Sequence, residues 1–456
     1  MRHDHMHDLV SSLQARKISR REFTTRSLAL GLSTAAIGSL LAACGDDGSS
    51  TKASNNNASG QITVWTWPDN DKTFAKTVPI FQKKFPTIKV NVQAFANADT
   101  DYATKLLAAI VSGTGPDVAM VEIGVVAKFK GKPGFVDLSQ APYNASQYKG
   151  SYAPYSWDYV ANQQTGKVFA LPKNTGPGGL FYRRDLFQKA GLPSEPDQVS
   201  TLLKDWDAFL SVGKKMTIKG KQWMIVGPSA IFQTIIAEAG FSYYDTKGNL
   251  QLDNPTFKTA MQYTKDAWQA GIVSPLEEGS AEANATTQNG TVAVYLSGNW
   301  FGGLLKSVYA PGTSGKWGVT TAPAFQGKTA YDSGGDFIGI LESSQNKQAA
   351  WNFVKFVTQD PDSLKTMYLA NDLYPAWTPA LSQSWLNESD AFYKGQQVNQ
   401  VFSQVQQKMA PPIANPNDAI VGTVVTSMLT DITRGNMAID AAISKAKQQI
   451  QAKTGQ

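Results

Sequence analysis

Residues 61–122 have the sequence QITVWTWPDNDKTFAKTVPIFQKKFPTIKVNVQAFANADTDYATKLLAAIVSGTGPDVAMVE, in which short apolar runs alternate with amphipathic segments. Strands are predicted at 62–67, 88–95 and 117–121, and helices are predicted between them at 74–85 and 102–110. The first run is apolar on both faces, as expected of a buried parallel strand. The order βαβαβ builds a parallel sheet through right-handed crossovers, so an α/β fold is predicted.

Polar and aromatic side chains follow the predicted strands at the points where the strands end. The first strand runs into Trp67-Pro68-Asp69-Asn70-Asp71, and the third runs into Glu122-Ile123-Gly124. Two later strands, at 223–226 and 292–296, are followed by turns that lead to Phe232, Gln233 and Trp300. Ligands of open α/β sheets bind beyond the carboxyl ends of the strands. These residues therefore predict a binding site that has no cationic cluster and no Gly-rich phosphate loop.

The net charge gives no indication of a polyanionic partner. The chain has 42 Lys plus Arg and 36 Asp plus Glu, for a formal net charge of +6. Residues 1–43 hold six basic and three acidic side chains, so half of the excess lies in that segment. We therefore expect no nucleic-acid partner and no basic surface for an anionic membrane.

The positions of the histidines and the cysteine exclude several kinds of site. All three histidines lie in the first seven residues, and the single cysteine is Cys44. A chain cleaved before Cys44 has no imidazole and no thiol beyond its first residue. This excludes Ser-His-Asp and Cys-His catalysis, zinc sites built on His or Cys, and disulfides. Carboxylate or lysine chemistry and oxygen-ligand metals remain open on this evidence alone.

The first 44 residues have the order of an export signal. The pair Arg20-Arg21 precedes an uncharged apolar run at 27–41, which leads into Leu41-Ala42-Ala43-Cys44. The run is short for a hydrocarbon core of ~30 Å, so it indicates a signal h-region. This order resembles a bacterial lipoprotein signal, in which the Cys44 thiol is acylated and becomes the new N-terminus. The arginine pair with Phe23 resembles the twin-arginine export motif. We predict a signal peptide at 1–43 and an extracytoplasmic, lipid-anchored protein.

A flexible tether is predicted after the anchor. Residues 45–60 contain only Gly, Asp, Ser, Thr, Lys, Asn and Ala, none of them large enough to anchor a core. Such a segment has an r.m.s. reach of about 20–24 Å.

Several short segments are informative because of their order along the chain. They are SGTGPDV at 112–118, GKVFALP at 166–172, YRRDLF at 182–187 with AGL at 190–192, NGTVAV at 289–294 with GNW at 298–300, and AAWNFVKF at 349–356. In this order they resemble extracellular solute-binding proteins of the maltodextrin-binding type, over the whole mature chain. The chain departs from maltose binders at Glu122-Ile123-Gly124, which has no aromatic residue, so the identity of the sugar stays open.

The resemblance implies a two-lobed periplasmic-binding-protein fold, each lobe a mainly parallel sheet flanked by helices, with a hinge of crossing strands. Carried over to this chain, lobe 1 comprises 61–172 and 324–372, and lobe 2 comprises 173–323 and 373–456. The hinge strands lie at Leu171-Pro172 and at 319–323. The ligand is clamped in the cleft between the lobes.

Sugars present C–H faces and many hydroxyl groups, which aromatic rings and polar side chains bind. The candidate ligand-binding residues are Trp67, Asp69, Asp71, Glu122, Lys173, Asn174, Phe232, Gln233, Trp300, Gly335, Asp336, Trp377 and Asn417. Each has a structural alternative: the aromatic residues can pack in the core, and Asp71 can cap a helix.

By this resemblance the protein is a lipid-anchored, monomeric receptor that captures a mono- or oligosaccharide and delivers it to the permease subunits of an ABC transporter. It implies no enzyme activity, cofactor or metal. The same fold can bind a polyamine, a peptide or glycerol-phosphate. A phosphate or carboxylate clamp is disfavoured because the body has only Arg183, Arg184 and Arg434. A glycosidase that uses a carboxylate pair is the remaining alternative.

Overall fold

The computed structural model describes residues 58–96, 101–276, 279–410, 413 and 415–455. The predicted signal peptide, Cys44 and most of the tether lie outside the described residues. The strands are β1 (Gly60–Thr66), β2 (Ile88–Ala94), β3 (Val118–Glu122), β4 (Leu171–Arg183), β5 (Trp223–Val226), β6 (Val273–Ser274), β7 (Val292–Gly298), β8 (Trp317–Thr320), β9 (Asp332–Ile340) and β10 (Tyr374–Pro375).

Helices cover these strands. The α-helices are α1 (Asn70–Lys84), α2 (Asp101–Ser112), α3 (Pro154–Val160), α4 (Arg184–Lys189), α5 (Pro196–Leu202), α6 (Trp206–Met216), α7 (Ser229–Ala239), α8 (Pro255–Gln269), α9 (Ala281–Asn289), α10 (Trp300–Leu304), α11 (Lys347–Gln359), α12 (Pro361–Asn371), α13 (Asn399–Gln406), α14 (Asp418–Thr433) and α15 (Ile439–Thr454). Short 3₁₀ or π segments lie at Ile123–Lys128, Ala145–Ser151, Leu305–Tyr309, Pro311–Thr313, Thr378–Ser382, Ser384–Leu386 and Ala391–Tyr393. In the part of the chain that is described, each helix is too short or too polar to traverse a bilayer.

The predicted βαβαβ unit is confirmed. Strand β1 pairs in parallel with β2 and with β3, so it lies between them. Burial of both faces of β1 is not observed, because Ile62, Val64 and Thr66 are buried whereas Trp65 is half-buried. The Trp65 indole N–H donates to Gln93 Oε1 at 3.0 Å, which satisfies its polar edge at the surface. Strand β1 therefore has one core face and one half-covered face.

Two long strands connect the lobes. All 13 residues of β4 are buried, and β4 pairs antiparallel first with β9 and then, from Gly178 onward, with β7. Strand β9 also pairs antiparallel with β3, which completes the sheet order β2-β1-β3-β9-β4-β7-β5-β6. Parallel strands thus form the centre of each lobe, and antiparallel strands form the crossing.

The crossing depends on a close approach of two backbones. A Cβ on Gly176 of β4 would lie 2.4 Å from the carbonyl oxygen of Gly334 in β9. Gly334 itself has φ 108°, a conformation that residues with a side chain rarely adopt. Glycine at both positions lets the strands that connect the lobes touch directly.

Buried side chains form three hydrophobic clusters. The first contains residues of β1, β3, β9 and α11, and the second contains residues of α6, α7, α8, α14 and α15. The third surrounds Phe181, Trp317 and Tyr393 and includes Leu364 and Met367 of α12. The third cluster includes residues of α12, which lies in the segment expected in lobe 1. The lobe boundaries therefore remain a prediction.

Candidate ligand-binding site

A cavity of about 290 Å³ lies between the two lobes. Lobe 1 contributes the 3₁₀ segment Ile123–Lys128 and Tyr159, and lobe 2 contributes the end of α7 and the residues that follow it. Residues 330–334, at the start of β9, and residues of the segment between α13 and α14 complete the walls. Both lobes and the crossing strands therefore contact whatever occupies this cavity.

Two local features place side chains in this cleft. Glu122 caps the 3₁₀ segment by accepting the Gly124 N–H at 2.6 Å, so the chain turns into the cavity directly after β3. On the other lobe, α7 ends at Gly240, whose φ of 68° is the left-handed conformation that ends many helices. The turn at Gly240 brings Phe241, Ser242 and Tyr243 to the cavity wall.

The aromatic rings in the cleft are held by other rings. Phe241 packs on Phe257 with ring centroids 5.5 Å apart and meets Tyr243 edge-on at 6.1 Å. Tyr159 on the opposite lobe packs on Phe337 at 5.8 Å. Rigid aromatic faces thus border the cavity from both lobes.

Asp332 and Asp418 line the cleft together with Tyr159, and Glu122 directly precedes Ile123 of its wall. Burial raises the pKa of the Tyr159 phenol well above its ordinary value, and the charges of Asp332, Glu122 and Asp418 raise it further. Both carboxylate oxygens of Asp332 are buried, and among the described residues neither has a hydrogen-bond partner. Burial holds the pKa of Asp332 well above its usual range, and the nearby Glu122 adds to the effect. Burial also raises the pKa of Asp418 to about 6.

Within the described residues that line the cavity, Lys128 is the basic side chain. The described part of the chain also contains no group of three or more His, Cys, Asp or Glu side chains arranged to hold a metal. The cleft therefore offers aromatic faces and hydrogen-bond acceptors, and it lacks the paired cations that a phosphate group requires.

None of the thirteen sequence-predicted residues lines this cavity, although three lie beside residues that do. Glu122 precedes Ile123, Gly335 follows Gly334, and Asn417 lies between Pro416 and Asp418. Gln233 is exposed on α7, one turn before Ile236 and Ala237 of the wall. These residues border the site, and their contact with ligand stays a prediction.

Lys173 and Asn174 of β4 and Asp336 of β9 form a buried network with Asn70, the first residue of α1. Lys173 Nζ donates to Asn70 Oδ1 at 2.8 Å and to Asn174 Oδ1 at 3.0 Å, and it lies 3.7 Å from Asp336 Oδ2. Lys173 is 0% exposed, and burial lowers its pKa to about 8 even though Asp336 partly offsets this effect. The polar groups satisfy one another, so this network supports the hinge from within the protein.

Trp67 and Asp69 lie at the turn between β1 and α1, and Asp71 lies in the first turn of α1. Trp67 packs edge-on against Tyr102 at 5.6 Å, and the Asp71 carboxylate accepts the Lys72 N–H. Besides burial, the Asp69 charge raises the pKa of Tyr309, a residue that follows α10 in the other lobe. The Asp69 carbonyl also accepts the side-chain N–H of Asn371 at 3.2 Å, so Asp69 contacts the end of α12.

The remaining aromatic candidates have packing partners. Phe232 is 1% exposed in the second cluster and packs edge-on against Phe257, so it is a core residue and the prediction of ligand contact is corrected. The half-buried Trp377 packs edge-on against Tyr152 at 5.0 Å. Trp300 is also half-buried, and its indole N–H donates to the Ser333 carbonyl at 2.7 Å, beside Gly334 of the cavity wall.

Tyr159, Phe241, Tyr243 and Asp332 were not predicted from the sequence. The predicted polar residues follow strands, whereas Asp332 begins a strand, and Phe241 and Tyr243 follow a helix. An available signal was the run Gly240-Phe241-Ser242-Tyr243-Tyr244, in which aromatic residues directly follow a helix-ending glycine.

Two lobes with separate cores, joined by crossing strands over a shared cleft, define the class of two-lobed solute-binding receptors. Residues 65–362 match the family model of bacterial extracellular solute-binding proteins. The chain belongs to this family.

Similar proteins share most of the length of the chain. A lactose-binding protein of Rhizobium radiobacter is 27% identical over 359 residues, which cover 75% of this chain and 81% of that protein. An arabinooligosaccharide-binding protein of Bacillus subtilis (strain 168) is 24% identical over 422 residues, which cover 88% of this chain and 95% of that one. The ABC transporter associated binding protein from B. animalis subsp. lactis Bl-04, solved in complex with beta-1,6-galactobiose, has a TM-score of 0.73 at 24% identity and covers 87% of this chain and 97% of its own.

Proposed function

We propose that this protein is the carbohydrate-binding receptor of an ABC importer. It captures a mono- or oligosaccharide between its lobes and delivers it to the transmembrane permease subunits. The observation that carries the proposal is the interlobe cavity, bordered by Tyr159 on one lobe and by Phe241 and Tyr243 on the other. The ligands named for the relatives in Rhizobium and Bacillus, lactose and arabinooligosaccharide, are consistent with it.

The chemistry of the cleft suits a neutral, hydroxyl-rich ligand. Aromatic rings cover the C–H faces of a sugar ring, and acceptor groups bind its hydroxyl hydrogens. Asp332 offers a buried carboxyl group whose oxygens lack a partner among the described groups, and a buried polar group without a partner costs free energy. A sugar hydroxyl that donates to Asp332 would remove this cost on binding.

Binding is proposed to shift an equilibrium between open and closed lobes. The crossing strands β4 and β9 are continuous through the hinge, so each lobe can move as a body while these strands bend. Because both lobes contribute to the wall, the ligand stabilises the closed form through contacts that the open form lacks. The protein is proposed to bind without catalysis, cofactor or metal, as a monomer.

The anchor and the export route are part of the proposal. Residues 1–43 direct export through the twin-arginine pathway, and acylated Cys44 holds the protein at the outer side of the cell membrane. The segment 45–60 then lets the folded body reach the permease within about 20–24 Å of the anchor. This placement rests on the order of residues in the leader.

Calorimetry and thermal denaturation with a panel of ligands test the function. The panel contains galactose-, glucose- and arabinose-based mono- and oligosaccharides, glycerol-phosphate, a short peptide and spermidine. A sugar present at 100 times its dissociation constant should stabilise the fold by about 2.7 kcal/mol. The proposal fails if no sugar binds, or if the variant Tyr159→Ala with Phe241→Ala binds the sugar as tightly as the wild type.

One observation favours a second candidate, a polyamine ligand. Asp332 and Asp418 line the cleft together with Tyr159, and an ionised carboxylate beside an aromatic face also suits an ammonium group. In the same panel, spermidine binding that weakens steeply with salt, without any sugar binding, would replace the sugar proposal with this one.

A further inference from the structure

A second cavity of about 260 Å³ adjoins the interlobe cleft on the side of lobe 2. The two cavities share four lining residues, Gly240, Phe241, Ser242 and Ile413. The two cavities are therefore neighbours; together they are called the trough here, and the second cavity is its outer part. A single sugar ring bound between the lobes would leave the outer part empty.

The outer part of the trough is polar. Its lining includes Ser242, Asp245, Gln251, Asn254 and Thr256, and none of its described lining residues is Lys or Arg. The wall thus provides hydroxyl and amide groups, which match a neutral ligand with many hydroxyl groups.

The hydrogen bonds within the protein leave part of this wall available. Asn254 Oδ1 accepts the Thr256 N–H at 2.9 Å, whereas its Nδ2 group has no partner in the described part of the chain. Gln251 donates its amide N–H to the Asn249 carbonyl at 3.1 Å, which leaves its Oε1 as an acceptor. The Asp245 carboxylate is less available to a ligand, because it already accepts the Lys247 and Asn249 N–H groups of its own turn.

Phe241 connects the two parts. Phe241 lines both cavities, and its ring packs on that of Phe257 with centroids 5.5 Å apart. A ring at this position can stack on one sugar unit while the next unit continues into the outer part.

We infer that the ligand is an oligosaccharide that begins between the lobes, passes Phe241 and places its far end against Gln251 and Asn254. This inference rests on the proposed function and adds the length and direction of the ligand to it. Ser242 and Thr256 provide further hydroxyl groups along the outer wall.

Calorimetry on the mature chain tests the inference with ladders of one to five units of β-galacto-, malto- and arabinooligosaccharides. In the ladder that binds, affinity is expected to rise about tenfold, or about 1.4 kcal/mol, when the chain becomes long enough to reach Asn254. The variant Asn254→Asp keeps the Oδ1 acceptor for the Thr256 N–H and removes the Nδ2 donor. It should lower the affinity of the long members and leave that of the short members unchanged.

The matched control is Asn289→Asp, which makes the same change at an exposed position on α9. Equal affinity across the ladder, or an equal effect of Asn254→Asp on all lengths, overturns the inference while the sugar-binding function stands. Failure of every ladder to bind overturns the proposed function itself. Unfolding curves for both variants confirm that they are folded.

Discussion

Replacing Trp300 tests whether its indole contacts the ligand or only stabilises the fold. The indole is half-buried, donates to the Ser333 carbonyl at 2.7 Å and meets Phe301 edge-on at 6.4 Å. If the ring also stacks on a sugar, Trp300→Ala should remove about 2–4 kcal/mol of binding, the range of a buried aromatic anchor. This is roughly a 30- to 1,000-fold loss of affinity.

The stability of the same variant gives the second measurement. Deletion of a core Trp typically costs ~3–5 kcal/mol, and Trp300 should cost less because part of its surface is already in water. Trp300→Phe keeps an aromatic ring and loses the bond to Ser333, so it should cost about 1 kcal/mol of stability and retain most of the affinity. Calorimetry measures the sugar affinity of each variant, and urea unfolding measures its stability.

Trp385→Ala is the matched control. Trp385 is 6% exposed in the third cluster, which Trp300 also contacts. It does not line the cleft. It should lower stability without changing affinity. Near-wild-type sugar affinity of Trp300→Ala, together with a large loss of stability, would refute the assignment of Trp300 to the binding site.

Three further predictions concern pH and export. Burial raises the pKa of Glu238 to about 9. Between the lower pKa of this carboxyl group in the unfolded state and the raised pKa in the folded state, the folded protein keeps a proton that the unfolded chain has released. The free energy of unfolding therefore falls as pH rises, by up to about 1.4 kcal/mol per pH unit. Glu238→Gln keeps an acceptor for the Trp206 indole N–H, and its stability relative to the wild type should increase between pH 5 and pH 8. If urea unfolding shows the same difference in stability between variant and wild type at every pH, this prediction is contradicted. Cys44→Ala should leave an unlipidated protein, which fractionation and mass spectrometry detect, and a membrane-bound lipidated variant would exclude the lipoprotein assignment. Arg20→Lys with Arg21→Lys should block export, and unimpaired export would indicate the general secretory route.

Local patterns were enough to predict the βαβαβ unit at the start of the first lobe. Strands β1 to β3 and their helices follow from apolar periodicity within about 60 residues, and Pro79 does not interrupt α1. Strand β4 was not predictable in the same way, because LPKNTGPGGLFYR contains glycines and prolines that disfavour strands. It forms because distant partners pair with it, and Gly178 is required there since a Cβ would lie 2.3 Å from the Tyr331 ring.

The site was harder to predict than the fold. Polar residues at strand ends, such as Glu122, lie beside the cleft, but pattern alone could not separate them from residues of a buried network such as Lys173. That distinction depends on which side chains satisfy one another, as Lys173 and Asn70 do at 2.8 Å. The cavity walls come from segments far apart in the chain, and only the tertiary fold brings Tyr159, Phe241 and Asp418 together.

The crossing of β9 into the first lobe also determines when that lobe can fold during synthesis. Asp117, at the start of β3, accepts a hydrogen bond from Ser344, which lies 227 positions later in the chain. At roughly 5–20 residues per second, a ribosome takes about 10–45 s to make that segment. Until then the edge of β3 has no β9 to pair with, and sheets built from such distant partners fold slowly. The nascent first lobe must therefore stay incomplete, with an open strand edge to protect, until most of the second lobe has been made.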